Sequence, residues 1–376
     1  MKIPVESKDL PPDFEPTEWK DELAKRRPEQ MVQYMVEEGI AEVPKRFVQP
    51  PHMRPAVGRR SSSDDEVPII DMALGKDEEG RKQLHADIAR ACEEWGFFQA
   101  INHGVPDTLM DAMMDMEKKF YSLTSEEKEV YKKRKTTMSV GYGGVYDKHK
   151  DQALVWMDRL TVDLPSARDL TETYNLVIDN PPGFQEVYVE YGKAIYEFAK
   201  EIMAIISEVL GQPKDFLFKK IGDDRAAMKT AFNYYPQCPQ PEFVLGLPPH
   251  ADASALAILQ QGSPGLEVLK NGFWIPVPPC SKRSLVVNVG DVIQMISNAR
   301  FKSSLHRAVV TEISRYSIGS FIMPHREIYL APAAELCDEM NPPIYRSVKY
   351  AEYILEYLSR GIKDDLRVVD LFRLCT

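Results

Sequence analysis

The chain has no basic excess: across 376 residues, 47 Lys and Arg face 57 Asp and Glu, for a net charge of -10. Nucleic-acid binding draws on cations that neutralise phosphates, so no nucleic-acid partner is expected. The short basic runs at Lys132 to Lys135 and Lys148 to Lys150 read as solvated faces. Nor is there an apolar run near the roughly 18 residues that a membrane-spanning helix needs. The opening stretch from Met1 to Asp9 carries no apolar leader. No membrane partner is expected, and the cytoplasm is the default location. Five cysteines, Cys92, Cys238, Cys280, Cys337 and Cys375, are odd in number and lack close paired spacing. Free thiols fit that pattern better than a disulfide framework or a zinc site. No internal repeat is found.

What is present is enough apolar content, 44%, to bury a sizeable core in one large domain or two smaller ones. Residues 1–66, rich in proline and charge, read as an arm with one helix near 28–39 and an exposed loop. Residues 67–224 read as mostly helical after an entering strand at Val67 to Asp71. Leu84, Ile88, Cys92 and Trp95 share one helix face, and Leu109, Met113, Met116 and Phe120 share another. Thr124 and Glu127 form a capping box, and a long helix from 183 to Leu210 stops at Gly211. Across 225–325 the texture changes to short apolar runs punctuated by proline and glycine, which implies an antiparallel sheet pair or barrel. Residues 326–376 form a C-terminal helical extension, with a helix from Val348 to Ser359. The four regions are expected to form one compact unit.

Within the strand-rich region, His250 and Asp252 stand two apart, and His306 lies in a later strand-like run. On an extended strand, residues i and i+2 face the same way, so one strand delivers both ligands and another supplies the third. Two imidazoles and a carboxylate that leave coordination positions open are the ligand set of non-haem Fe(II). A lone His-x-Asp also arises by chance, and a histidine on an apolar strand is more often a satisfied core residue. The surroundings add weight. Nine residues after His306 come Arg315 and, two further, Ser317 on the same face. A guanidinium and a hydroxyl so placed can grip the remote end of a dicarboxylate. The alternative is a surface ion pair. Asn233 and Tyr235 present two more polar groups to one side of a strand, with plain sheet packing as the other reading.

Four segments, Asn233 to Pro241, Gly246 to Asp252, Val286 to Asp291 and Lys302 to Arg307, resemble the plant 2-oxoglutarate and Fe(II)-dependent dioxygenases. The segments Glu94 to Pro106 and Val140 to Gly143 agree, and the resemblance runs from about residue 40 to 360. It implies an α+β fold whose core is a double-stranded β-helix (jelly-roll, cupin-like) flanked by helices. It also implies Fe(II) held by His250, Asp252 and His306. The cosubstrate 2-oxoglutarate would be gripped by Arg315 and Ser317 and steadied by Asn233 and Tyr235. Ascorbate is the expected reductant, O2 and a small molecule are the partners, and a monomer is expected. His103, in the Asn-His-Gly-Val-Pro segment, is structural by the same resemblance.

The chain departs from the family pattern in three places. The spacing from His306 to Arg315 is one residue shorter than usual. Ala231 stands where many relatives carry Arg or Lys, and Lys229 on the same strand face substitutes for it or reaches solvent. Asn298-Ala299-Arg300 replaces the usual Asn-Gly-Arg, which costs the turn its glycine. For the substrate, Tyr142 and Phe321 match positions where flavonoid-oxidising relatives contact theirs, with Met323 on the face of Phe321; ordinary core packing is the equal alternative. Flat rings suit a planar polyphenol. A flavonoid oxygenase of the type I flavone synthase or flavanone 3-hydroxylase kind leads. A gibberellin, coumarin-precursor or alkaloid oxidase follows, then an ascorbate-driven aminocyclopropane carboxylate oxidase, then a non-catalytic binding protein.

Overall fold

The computed structural model describes residues 31–55, 66–131, 140–144, 153–164, 178–360 and 367–374. Both basic runs, the loop at 61–65, the start of the first expected helix and Cys375 lie outside the described residues.

Helix α1 (Val32–Glu37) falls inside the stretch expected to be helical. Helices α2 (Glu78–Glu94) and α3 (Asp107–Tyr121) follow, then a short α4 (Ser125–Glu129). Both bonds of the capping box are formed: Glu127 N–H donates to Thr124 Oγ1 and Thr124 N–H to Glu127 Oε2. The long helix α5 (Phe184–Val209) ends just before Gly211, which sits at φ 73°. Its fully buried Tyr188, Ile195 and Ile202 each remove enough apolar surface from water to contribute about 1.5–3 kcal/mol.

Helix α3 departs from its single predicted stripe. It buries Met110, Met113, Met114, Glu117, Phe120 and Tyr121, while Leu109 and Met116 are only half-buried. The helix is wedged between α5 and the sheet, so its covered face is wider than one stripe. Glu117 is caught in that wedge, fully buried, with no hydrogen-bond partner for either oxygen among the described residues.

Twelve strands build the core: β1 (Ile69–Asp71), β2 (Phe97–Ile101), β3 (Val140–Gly144), β4 (Asp158–Leu164), β5 (Ala227–Tyr235), β6 (Leu247–His250), β7 (Leu256–Gln261), β8 (Leu266–Lys270), β9 (Phe273–Pro276), β10 (Leu285–Val289), β11 (His306–Ala308) and β12 (Arg315–Met323). The large sheet has the order β1-β2-β10-β7-β12-β5-β4-β3, and the small one β6-β11-β8-β9. All pairings in these two sheets are antiparallel except β1 with β2. Residues of both sheets line a common cavity, as a jelly roll requires.

The short apolar runs expected across 225–325 form strands, among them β5, β7, β8, β10, β11 and β12. The large sheet also recruits β1 to β4 from the region expected to be mostly helical, so that region is not a separate layer. The strand expected to carry His250 is β6, Leu-Pro-Pro-His. Proline lacks an N–H and reads as a turn, but β6 is an edge strand, where a missing donor costs no ladder bond. The last helices are α6 (Asp291–Ile296) and α7 (Tyr350–Arg360). Cys92, Cys238, Cys280 and Cys337 are free thiols. No helix among the described residues is long and apolar enough to cross a membrane.

Candidate active site

His250 closes β6 and His306 opens β11, and the two are direct partners across the small sheet. Asp252 lies two residues past the end of β6, not on a continuing strand, yet its carboxylate still converges. His250 Nε2 is 3.6 Å from Asp252 Oδ1, and His306 Nε2 is 3.7 Å from Asp252 Oδ2. One ligand atom from each residue lies within 4.8 Å of the others, a spacing one cation can bridge. Each ring is fixed through its other nitrogen. His250 Nδ1 meets the Pro248 carbonyl at 2.9 Å and His306 Nδ1 the Ser304 carbonyl at 3.2 Å. An Nδ1–H in both rings leaves both Nε2 lone pairs for the metal. Burial first, and the adjacent His306 second, hold the His250 pKa down to about 3, so that ring is neutral near pH 7.

The carboxylate is held as firmly. Asn288 on β10 donates from Nδ2 to Asp252 Oδ2 at 2.8 Å, and Asp291 N–H donates to the Asp252 carbonyl at 2.8 Å. Gly290, between them, has no room for a Cβ, which would strike the Ser254 carbonyl. From the other side, helix α7 reaches the same loop. Tyr357 Oη donates to the Ala251 carbonyl at 2.8 Å and Tyr350 Oη to the Ala253 carbonyl at 3.2 Å.

Arg315, Ser317, Phe321 and Met323 alternate along β12 and all face the cavity, as do Tyr235, Asn233 and Lys229 on neighbouring β5. Arg315 is 4% exposed. Its Nε donates to the Ser263 carbonyl at 3.2 Å and its Nη2 to Gln261 Oε1 at 3.1 Å, while the guanidinium stacks 4.8 Å from the Tyr235 ring centre. Its Nη1 is buried without a partner among the described residues. An unpaired charged donor is costly in such a place, and a ligand carboxylate is the group that would satisfy it. Asn233 Nδ2 is 3.3 Å from the Ser317 carbonyl and 3.4 Å from its Oγ. These residues therefore fit a metal-chelating dicarboxylate with its far end at Arg315. In the turn from Thr311 to Ser314, Thr311 Oγ1 donates to the Ile313 carbonyl at 2.9 Å and accepts from the Ile313 N–H at 3.2 Å.

Of the four residues predicted to touch substrate, Phe321, Met323 and Lys229 line the cavity. The Phe321 ring folds along the strand over Gly319, where a Cβ would come within 3.3 Å of it. Lys229 is half-buried, with its Nζ 3.6 Å from Asp163 Oδ1 on β4. The structure does not bring Tyr142 to this wall. It pairs with Leu160 on the face of the large sheet away from the cavity, with its ring 5.6 Å from Phe120 and 6.3 Å from Tyr121. The strand alternation at the sheet's far edge decides this, and a turn-like Gly-Tyr-Gly does not reveal the alternation.

Several site residues escaped sequence reasoning. Asn288 and Gln261 are polar residues in apolar strands, a signal that was available. Arg159 on β4 lines the cavity, and so do Ile354, Tyr357 and Leu358 of α7. The spacing of Tyr350, Tyr353 and Tyr357 along one helix face pointed to a buried role. His103 is structural as expected, with Nε2 2.6 Å from the Arg283 carbonyl.

Comparison with known proteins agrees with this geometry. Residues 227–324 match the family described as the 2OG-Fe(II) oxygenase superfamily, and residues 67–187 match the non-haem dioxygenase in morphine synthesis N-terminal region. The chain is 33% identical to jasmonate-induced oxygenase 2 of Arabidopsis thaliana, over 88% of this chain and 89% of that protein. It is 32% identical to flavanone 3-dioxygenase 2 of Oryza sativa subsp. japonica, over 88% and 94%. A crystal structure of JOX2 in complex with 2OG, Fe and JA superposes with a TM-score of 0.81 at 32% identity, covering 92% of this chain and 98% of that one.

Proposed function

This chain belongs to the 2-oxoglutarate and Fe(II)-dependent oxygenases, and on that footing we propose that it hydroxylates or desaturates a small, flat specialised metabolite. As a dioxygenase of this family it uses Fe(II) and 2-oxoglutarate with O2. Bound iron supplies the oxidising chemistry, and the protein supplies binding, orientation and exclusion of water. His250, Asp252 and His306 would hold the metal through two neutral imidazoles and one carboxylate. Asn288 and the hydroxyls of Tyr350 and Tyr357 keep that carboxylate loop from moving. Arg315 and Ser317 would bind the far carboxylate of 2-oxoglutarate, with Asn233 and Tyr235 fixing its position. The buried, unpartnered Nη1 of Arg315 is the observation that carries this assignment.

Beyond the clamp, Phe321 and Met323 continue the same strand face, and Ile354 and Leu358 approach from α7. Such a wall favours an apolar, ring-bearing substrate. A flavonoid, a flavanone going to a flavone or dihydroflavonol, is the leading candidate, supported by Phe321 and by the similarity to flavanone 3-dioxygenase 2. The position of Tyr142 outside the cavity favours a second reading, the same chemistry on a gibberellin, a coumarin precursor or an alkaloid. Incubation with Fe(II), ascorbate, 2-oxoglutarate and naringenin, with products identified by mass, tests the choice. Oxidised naringenin supports the flavonoid reading. Failure across flavanones and dihydroflavonols, with succinate still formed on another substrate, moves the assignment to the second. A non-catalytic binding protein would have no use for both the iron ligands and the Arg315 clamp, and would form no succinate.

A further inference from the structure

Arg159 belongs to neither the iron ligands nor the Arg315 clamp. It stands on β4 directly opposite Asn233 of β5, level with Ser317 one strand further on. Its side chain is half-buried and turned into the cavity that holds His250, Asp252 and His306. Its Nε donates to Asn233 Oδ1 at 2.7 Å, which fixes both the guanidinium plane and the Asn233 amide. Among the described residues no carboxylate lies within ion-pair distance of it. The nearest acidic neighbours in sequence and register are engaged elsewhere. Asp158 accepts the backbone N–H groups of Val32 and Gln33, and Asp163 faces Lys229. A half-buried guanidinium held on one side and open to the cavity on the other presents its remaining donors to a ligand anion in place of water.

We propose that Arg159 binds an oxyanion on the organic substrate, so the enzyme selects a flat, apolar molecule that carries one acidic group. The proposal rests on the oxygenase reading of this cavity and sharpens its substrate class. Arg315 is already committed to the far end of a dicarboxylate, and Lys229 is neutralised by Asp163. Arg307, which also lines the cavity, is paired with Glu267 at 2.6 Å, so among the described cationic residues of the lining Arg159 is left to read a second anion. Held by Nε, it keeps its two terminal nitrogens for a forked contact, which suits a carboxylate or an ionised phenol. Phe321, Met323 and Leu358 would cover the apolar body of the same molecule.

The test uses the full chain loaded with Mn(II) and 2-oxoglutarate, which fills the site without turnover, and reads binding by calorimetry. Two matched pairs serve as probes: cinnamic acid with methyl cinnamate, and naringenin with its 7-methyl ether. The first pair reports a carboxylate and the second an ionised phenol. The acidic member of at least one pair should bind about tenfold tighter or more than its blocked partner, the scale of a charge-assisted hydrogen bond. Arg159→Leu should bring that ratio to about one, and Arg159→Lys should keep only part of it, because the charge survives without the fork. A ratio near one in wild type for both pairs, or one that persists in Arg159→Leu, overturns the proposal. A variant that only raises the 2-oxoglutarate requirement, with the acid preference unchanged, would make Arg159 a positioning residue for Asn233 and overturns it too. The parent reading fails separately, by loss of 2-oxoglutarate binding to the Mn(II)-loaded wild-type protein.

Discussion

At the clamp end of the cavity, Arg315, Ser317, Asn233 and Tyr235 stand on two adjacent strands of the large sheet, locked in register and cross-bonded. At the other end, Phe321 and Met323 continue the same strand and share the space with Ile354 and Leu358 of α7, while Arg159 of β4 lines the cavity at the level of Asn233 and Ser317. The first group comes from chain segments that are neighbours in the sheet. The second is assembled from a strand and a helix, which no shared register locks together. A site that must hold one invariant cosubstrate gains from rigid pairing, whereas the substrate wall takes its residues from whatever elements border the barrel mouth. The difference predicts which substitutions abolish chemistry and which redirect it.

The largest effects should fall at the iron site, which serves both ends. His250→Ala or Asp252→Ala should remove substrate-dependent succinate formation, a drop of about a thousandfold or more, since three ligands define the site. Persistent turnover in either purified variant would end the iron assignment. Next, Arg315→Ala should raise the 2-oxoglutarate concentration required by about a hundredfold while metal binding survives, because a buried charge-assisted fork is lost. An unchanged requirement would remove Arg315 from the clamp. Asn288→Ala, which frees Asp252 Oδ2, should weaken metal affinity by about tenfold to a hundredfold in a competition titration, with 2-oxoglutarate affinity at saturating metal little altered.

Two smaller effects lie outside the cavity. Burial pushes the Glu117 carboxyl well up, with the Arg315 guanidinium only partly opposing it. The folded protein then binds that proton more tightly than the unfolded chain, so stability is lost as pH rises from the ordinary carboxylate value through the raised one. Glu117→Gln escapes this, and the excess of its Tm over wild type should grow between about pH 5 and pH 8 by a few degrees, the scale of about 1 kcal/mol. A gap that does not change with pH would mean that Glu117 is ionised in the fold. Ala299 sits at φ 65°, a left-handed conformation that favours glycine. Ala299→Gly should stabilise by about 0.5–1 kcal/mol in denaturant melts, and a loss of stability would refute strain in that turn.

The same comparison explains how much was legible beforehand. The convergence of the candidate iron ligands and of the proposed clamp residues was readable because each pair lies within one segment, at a spacing that strand geometry converts directly into a shared face. His250 with Asp252, Arg315 with Ser317, and Asn233 with Tyr235 all obey that rule, although Asp252 turns out to lie beyond the strand end. The substrate wall was not readable in this way. Tyr142 failed because its facing depends on which edge β3 joins, and Arg159 was passed over because β4 itself went unseen. Helix α7 was foreseen as a helix, but its approach to the Asp252 loop is set by tertiary packing, which no local pattern encodes. In the fold, the burial of Glu117 was hidden by the width of the α3 interface.

The central claim, that the triad and the clamp together run a 2-oxoglutarate-consuming oxygenase, is tested most directly by isotope. The Fe(II)-loaded protein is supplied with 2-oxoglutarate, ascorbate, a substrate that supports turnover and O2 labelled with heavy oxygen, and the succinate is weighed by mass spectrometry. One labelled oxygen atom per succinate, lost when Asp252 is replaced by Ala, is the predicted result. Unlabelled succinate, or labelled succinate that survives the replacement, would contradict it.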